Sequence, residues 1–312
     1  MVCSCVNFAL MERNLEMNRR ELLKCSIALG AALPAVCRVP VCAETSASPA
    51  RLRSAICAYS FRDALQSRKM KYDDIVNLAV ETGVDGIDMT VYWFPDTSDE
   101  FLLPLRRLAY KNGVEIYSIA VRTNMCQPTP QLREKELAEV VRWVEVATKL
   151  GAGHIRVFGG TVPKGRTEDE AAGWVVEVLK QACDQAGKRG IILGIENHGG
   201  ITENAGRIVQ IVKAVDSPWL GINLDTGNFL KDVFRQSELC VPYAVNVQVK
   251  TLIRDDEGRQ IPSDWDGFAK LLIRGGYRGY LSLEYEDKEN AATAVPRLLS
   301  KLKQVIRYNQ AS

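Results

Sequence analysis

Histidine is scarce in this chain of 312 residues: His154 and His198 are the only two, which rules out a site built from a set of imidazoles. No stretch of about 18 or more residues is uninterruptedly apolar, so no permanent membrane span is expected. The nine cysteines include no CxxC pair, so neither a zinc ribbon nor a thioredoxin-like site is indicated. Five of them (Cys3, Cys5, Cys25, Cys37, Cys42) crowd the N-terminus, and the other four (Cys57, Cys126, Cys183, Cys240) are widely spaced. Disulfides remain open for an exported chain, but spacing cannot pair them. No basic cluster is interleaved with aromatics, and no nucleic-acid partner is expected. An arginine-rich or glycine-rich phosphate cradle is also missing. With 46% hydrophobic and 25% charged residues, the composition is that of an ordinary globular protein, long enough for one large α/β domain.

The N-terminus reads separately from the rest. Residues 17–24, MNRRELLK, carry the arginine pair Arg19-Arg20; the mildly apolar residues 26–33 follow, and then Val41-Cys42-Ala43 before Glu44. That order, charged then apolar then small, predicts a Tat-type export signal over residues 1–43 cleaved after Ala43, with residues 1–16 an upstream start-site artefact. The plainer alternative is a basic N-terminal tail. A lipid anchor is not expected, because Ala35-Val36-Cys37 lacks the small residue that precedes a lipidated cysteine. Residues 44–52 read as a linker and 53–312 as the folded domain, located in the periplasm or otherwise outside the cytoplasm. Removing residues 1–43 leaves 35 charges of each sign, so the mature chain is formally neutral.

From Leu52 onward one unit repeats: a short apolar strand, a polar turn, an amphipathic helix. The expected strands are residues 55–60, 86–90, 115–121, 154–158, 191–196, 221–225, 244–250 and 280–284. Helical patterns lie between them, such as 132–150, with Leu137, Val140, Val141, Val144 and Ala147 at helical spacing, and 171–188. Eight such units in some 250 residues predict a single (β/α)8 TIM barrel of the α/β class. A doubly wound open sheet is the alternative, but the first strand-to-helix turn, Ser60-Phe61-Arg62-Asp63, has no GxGxxG fingerprint.

On the last four strands the polar residues share one face: Glu196 and His198; Asn223 and Asp225; Asn246, Gln248 and Lys250; Ser282, Glu284 and Glu286. The opposite face is apolar and must meet the helices, so the polar set points into the barrel, where polar groups need partners or a cation. Glu196, Asp225, Gln248 and Glu284 end four consecutive strands. Carboxylates converging on one mouth raise one another's pKa, and one divalent cation would resolve the conflict. Oxygen donors favour Mn2+ or Mg2+, with Co2+ or Zn2+ as the other candidates.

At these positions the chain resembles the sugar phosphate isomerase/epimerase family, barrels similar to xylose isomerase, tagatose epimerase and endonuclease IV. The resemblance covers about residues 53–308. It rests on Arg156-Val157-Phe158-Gly159-Gly160, Glu196-Asn197-His198, Asp225-Thr226-Gly227-Asn228, Gln248-Val249-Lys250 and Glu284. It implies metal ligands at Glu196, Asp225, Gln248 and Glu284, where the ketose epimerases of the family have Glu, Asp, His and Glu. Gln248 is the departure, since an amide oxygen is a weaker donor than imidazole, and it stands open between ligand and hydrogen-bonding residue. Asn228 stands where those epimerases carry a histidine, and Arg254 has the spacing of their substrate-binding arginine. Two histidines exclude the three-zinc endonuclease branch.

The resemblance implies a sugar isomerase or epimerase in which Glu196 and Glu284 exchange a proton next to a carbonyl through an enediolate. The expected substrate is a small sugar or keto-sugar, free or glycosidic; an oligomer is possible. Two alternatives share the site: a lyase or hydratase acting on a 3-keto-glycoside, and a catalytically silent sugar-binding barrel. His198 reads as substrate-binding or structural, Arg156 as a substrate contact or a brace for Glu196, and Lys250 as a substrate contact or a neutraliser of carboxylates. Asp225 has ordinary turn chemistry as its alternative. His154, at the start of its strand, reads as structural; Asp88 and Trp93 read as wall.

Overall fold

The computed structural model describes residues 51–311; the expected export signal and most of the expected linker lie outside them. The described chain is a closed barrel of eight parallel strands: β1 (Arg53–Cys57), β2 (Gly86–Thr90), β3 (Glu115–Ala120), β4 (His154–Phe158), β5 (Ile192–Glu196), β6 (Leu220–Asp225), β7 (Ala244–Val249) and β10 (Tyr280–Leu283). β1 pairs with both β2 and β10 and closes the ring. The expected barrel is therefore present, and the strands begin and end within a few residues of their expected bounds. The first strand is the exception, stopping at Cys57, after which Ala58–Phe61 turn as a 3-10 helix. A short antiparallel hairpin, β8 (Leu252–Arg254) with β9 (Gln260–Pro262), follows β7 and has no counterpart in the sequence reading. Its strands are three residues each, too short to show a period.

The helices are α1 (Arg62–Gln66), α2 (Tyr72–Thr82), α3 (Asp99–Lys111), α4 (Pro130–Leu150), α5 (Glu168–Gly187), α6 (Ala205–Val215), α7 (Val233–Cys240), α8 (Trp265–Arg274) and α9 (Ala291–Gln310). Local chemistry sets their ends. Pro130 opens α4, where its missing N–H costs nothing, and Gly151 closes it at φ 79°, a left-handed cap that glycine adopts without strain. Thr167 and Glu170 form a reciprocal capping box at the start of α5. The inner stripe of α4 (Val140, Val144, Ala147, Leu150) is buried with the outward faces of the strands, including Ile155, Ile195, Ile222, Leu224 and Val247, in one continuous apolar shell. Among the described residues no helix is long and apolar enough to cross a membrane. The four described cysteines are buried free thiols.

Inside the barrel the filling is partly polar. Tyr117 donates its hydroxyl to Asn246 (2.9 Å), Asn246 donates to Asn223 (2.8 Å), Asn223 donates to Gln248 (2.8 Å) and Gln248 donates to Asp88 (3.0 Å). This chain of amides joins β2, β3, β6 and β7 and lets polar groups lie where branched apolar side chains usually stack. His154 lies in the same interior, its Nδ1 2.8 Å from Ser118 Oγ, with burial pushing its pKa down to about 3, so the ring is neutral. Gly194 on β5 makes room for it: a Cβ there would lie 2.3 Å from His154 Nε2.

Candidate active site

The C-terminal ends of β4, β5, β7 and β10 surround a pocket of about 240 Å³ lined by Arg156, Phe158, Glu196, His198, Asn228, Lys250, Glu284 and Glu286, with Tyr59, Tyr92 and Arg122 as its remaining wall. Each polar member is placed by its strand register. Phe158 is opposite Glu196, Glu196 is opposite Asn223, and Asp225 is opposite Gln248. Asn197 then clips two strand ends together, donating to the Asp225 carbonyl (2.9 Å) and accepting from the Asp225 N–H (2.8 Å).

Two basic side chains organise the acids. Arg156 Nε is 2.8 Å from Glu196 Oε2, and its Nη1 donates to Tyr92 Oη (2.9 Å) and to the Val121 carbonyl (3.0 Å). The guanidinium lies over the Phe158 ring, 4.1 Å from its centroid. Asn228 donates to the other oxygen of Glu196 at 3.0 Å. Lys250 Nζ is 2.7 Å from Glu284 Oε1 and 3.3 Å from Asp225 Oδ2, and it pairs with Glu286 as well. Cys57 donates its thiol to the second oxygen of Glu284 at 3.4 Å.

The two glutamates differ in electrostatic state. Burial pushes Glu196 up to about 8; Arg156 opposes the shift, and the charges of Asp225 and Glu284 add to it. Burial also raises Asp225, to about 7, against the pull of Lys250. Glu284 is equally buried, but the Lys250 ammonium more than offsets that cost and holds the carboxyl below its ordinary range. Burial works against the charge of Lys250, yet Asp225, Glu284 and Glu286 together raise its pKa well above an ordinary lysine. His198 is pulled down by burial and by Arg156 and Lys250, so its ring is neutral near pH 7; it packs on Phe158, centroids 4.2 Å apart.

Of the expected site residues, Glu196, His198, Arg156, Asn228, Lys250 and Glu284 meet at this pocket, and Asp225 touches it through Lys250. Two do not. Arg254 turns back into the hairpin and donates to the Gly258 carbonyl at 2.7 Å, so the arginine spacing is spent on closing a β-turn. Gln248 lies below the mouth with its amide engaged at both ends, by Asn223 and Asp88, and is fully buried. The four positions expected to hold a divalent cation do not fit one as they are arranged. Glu196 is met by Arg156, Asp225 and Glu284 are met by the Lys250 ammonium, and the Gln248 amide oxygen already accepts from Asn223. Among the described residues no three His, Cys, Asp or Glu side chains converge as a metal-holding group.

The sequence reading missed Tyr59, Tyr92 and Arg122. All three sit in segments beyond strand ends, where neither period 2 nor period 3.6 operates. They form an aromatic wall: Tyr59 stacks on Trp93 (5.9 Å between centroids), and the Arg122 guanidinium lies 4.0 Å from the Tyr92 centroid.

Residues 76–305 match the sequence model of the family described as xylose isomerase-like TIM barrel. No curated protein matches the chain. Solved structures match its fold at low identity. D-psicose 3-epimerase from Clostridium cellulolyticum H10, solved with D-tagatose, has 17% identity and a TM-score of 0.63 over 83% of this chain and 96% of that one. The probable 3-DHS dehydratase AsbF of petrobactin synthesis from Bacillus anthracis has 18% identity and a TM-score of 0.63 over 82% and 98%. A xylose isomerase domain protein from Planctomyces limnophilus has 16% and 0.62 over 83% and 99%.

Proposed function

The chain belongs to the xylose isomerase-like TIM barrel family, and from that premise we propose that it moves a proton next to the carbonyl of a sugar or keto-sugar, as an isomerase or epimerase. The observation that carries this reading is the contrast between two carboxyl groups on one pocket. Glu284 is held ionised by Lys250, while Glu196 keeps its proton to about pH 8. Paired acids pushed apart in this way suit a base and an acid.

Glu284 takes the proton from the carbon beside the carbonyl, and the electron pair moves onto the carbonyl oxygen. The ammonium of Lys250 and the guanidinium of Arg156 favour the negative charge that develops there. Glu196 returns a proton: to the opposite face of the same carbon for an epimer, or to the former carbonyl carbon for an isomer, in which case the proton of the neighbouring hydroxyl passes to the oxyanion as that oxygen becomes the new carbonyl. Neutral His198 and Asn228 suit hydrogen bonds to sugar hydroxyls, and the aromatic wall offers a face for the sugar ring. A second reading uses the same proton on Glu196 differently. Delivered to an oxygen beta to the carbonyl, it would expel that group and make the enzyme a lyase on 3-keto-glycosides. The Arg19-Arg20 segment further proposes export by the Tat pathway, which sets the reaction outside the cytoplasm on free or glycosidic sugars.

Incubation in deuterated water with D-fructose, D-tagatose and a 3-keto-glucoside tests the reading. Wild type exchanges a C–H for deuterium, and Glu196→Gln and Glu284→Gln each slow the exchange by at least about 10²-fold, the usual loss of general acid-base help. Equal exchange in all three proteins would sink the assignment, and release of an aglycone would select the lyase.

A further inference from the structure

The pocket already contains a cation of the chain's own. The oxygens that Lys250 Nζ meets, Glu284 Oε1 at 2.7 Å and Asp225 Oδ2 at 3.3 Å, belong to the carboxylates that would have to hold a divalent ion at this mouth. A metal such as Mg2+ would need those oxygens at about 2.1 Å, and at that place it would face the ammonium at close range with like charge.

Three features keep the lysine there. Its N–H donates to Thr226 Oγ1 at 3.1 Å, and its carbonyl accepts from the Trp265 indole at 2.8 Å, so the backbone is tied on both sides. Its aliphatic stem passes over Gly227, where a Cβ would lie 2.5 Å from Lys250 Cγ and 2.8 Å from Lys250 Cβ. Only glycine at position 227 admits the stem along that path. Two residues earlier on the same face, Gln248 commits its amide to Asn223 and Asp88 below the mouth. The side chain itself is 10% exposed, with its charge met by Asp225, Glu284 and Glu286.

We infer that the Lys250 ammonium is the resident cation of this site and that the chain stabilises its oxyanion without a divalent metal ion. The oxyanion part rests on the proton-transfer reading; the occupancy of the cation position by Lys250 does not. A lysine in this role supplies one fixed positive charge that is never lost to chelators.

The test uses the folded wild-type chain and the double variant Gln248→His/Lys250→Met, which removes the ammonium and supplies an imidazole. Wild type dialysed after exposure to Mn2+ or Co2+ retains less than stoichiometric metal, and its melting temperature is the same with Mn2+ and with EDTA. The double variant takes up one Co2+ per chain, read by elemental analysis and by the visible absorption of a protein-bound Co2+. Stoichiometric metal in wild type overturns the inference, and so does a Mn2+-dependent melting temperature. A double variant that is folded by circular dichroism and still takes up no Co2+ overturns it too; if that variant does not fold, the wild-type measurements decide alone. Deuterium exchange on D-fructose, D-tagatose and a 3-keto-glucoside, run in EDTA, separates the two proposals. Exchange in EDTA supports both. Exchange that appears only with Mn2+ overturns this inference and leaves the proton-transfer reading standing. No exchange under either condition, in a wild type that retains no metal, removes that reading and supports Lys250 as the resident cation.

Discussion

Replacing Arg156 by Met separates packing from charge at the centre of the site, because the two parts of the loss depend differently on pH. The side chain is 5% exposed and has three partners: Glu196, Tyr92 and the Val121 carbonyl. Met fills much of the volume but leaves Glu196 and the Val121 carbonyl buried without that partner and half-buried Tyr92 unmatched, a change that typically costs about 3–5 kcal/mol. The Glu196 part of that cost appears only where Glu196 is ionised. In wild type its carboxyl titrates at about 8, above the unfolded value of about 4.3. The folded state therefore holds a proton that the unfolded state has released, and this group's contribution to stability is full below the unfolded value and is lost as pH rises to about 8. Removing the guanidinium raises the folded pKa further; a coupling of about 3 kcal/mol corresponds to roughly two units. At pH 6 Glu196 is protonated in both proteins, and the variant loses only what Tyr92, Val121 and packing contributed. At pH 9 the wild-type carboxyl is ionised against Arg156, whereas the variant still holds its proton, which adds about 1.4 kcal/mol to the loss. Urea unfolding of wild type, Arg156→Met, Glu196→Gln and the double variant at both pH values measures this as a cycle. The extra loss at pH 9 should vanish when Glu196 is already Gln. An equal loss at pH 6 and pH 9, or a pH-dependent loss that survives in the Glu196→Gln background, would refute the assigned charge state.

Gly194→Ala places a methyl 2.3 Å from His154 Nε2 in a ring held by Ser118, so urea unfolding should show a loss of about 1–3 kcal/mol, the usual cost of overpacking; the companion change His154→Ala should relieve part of it. Changing Arg19 and Arg20 to Lys should trap an unprocessed precursor in the cytoplasm, detected by fractionation, and sequencing of the exported wild type should give Glu44 as its first residue; unchanged secretion would end the Tat assignment.

What the sequence determined by itself is what depends on neighbours along the chain. Strand alternation is such a property: once 192–196, 220–225 and 244–249 are strands, Glu196, Asp225 and Lys250 must leave on the face opposite Ile195, Leu224 and Val249, and eight strand-helix units leave few architectures but a closed barrel. Capping behaved the same way, with Pro130, Gly151 and the Thr167-Glu170 box acting within a turn of their own helices. Tertiary structure decided which partner each inward group takes. Gln248 and Asp88 are 160 residues apart, and their contact across the barrel gives Gln248 a buried hydrogen-bonding role that its strand position left open beside the ligand role. Arg254, at the spacing of a substrate-binding arginine, lies in a hairpin whose three-residue strands leave no pattern to read, and its guanidinium goes to Gly258. Lys250 is the plainest case. Strand period put it on the face of the acids, but whether an ammonium or a metal balances Asp225 and Glu284 depends on the room over Gly227 and the ties to Thr226 and Trp265, distances that exist only once β6, β7 and α8 are packed together.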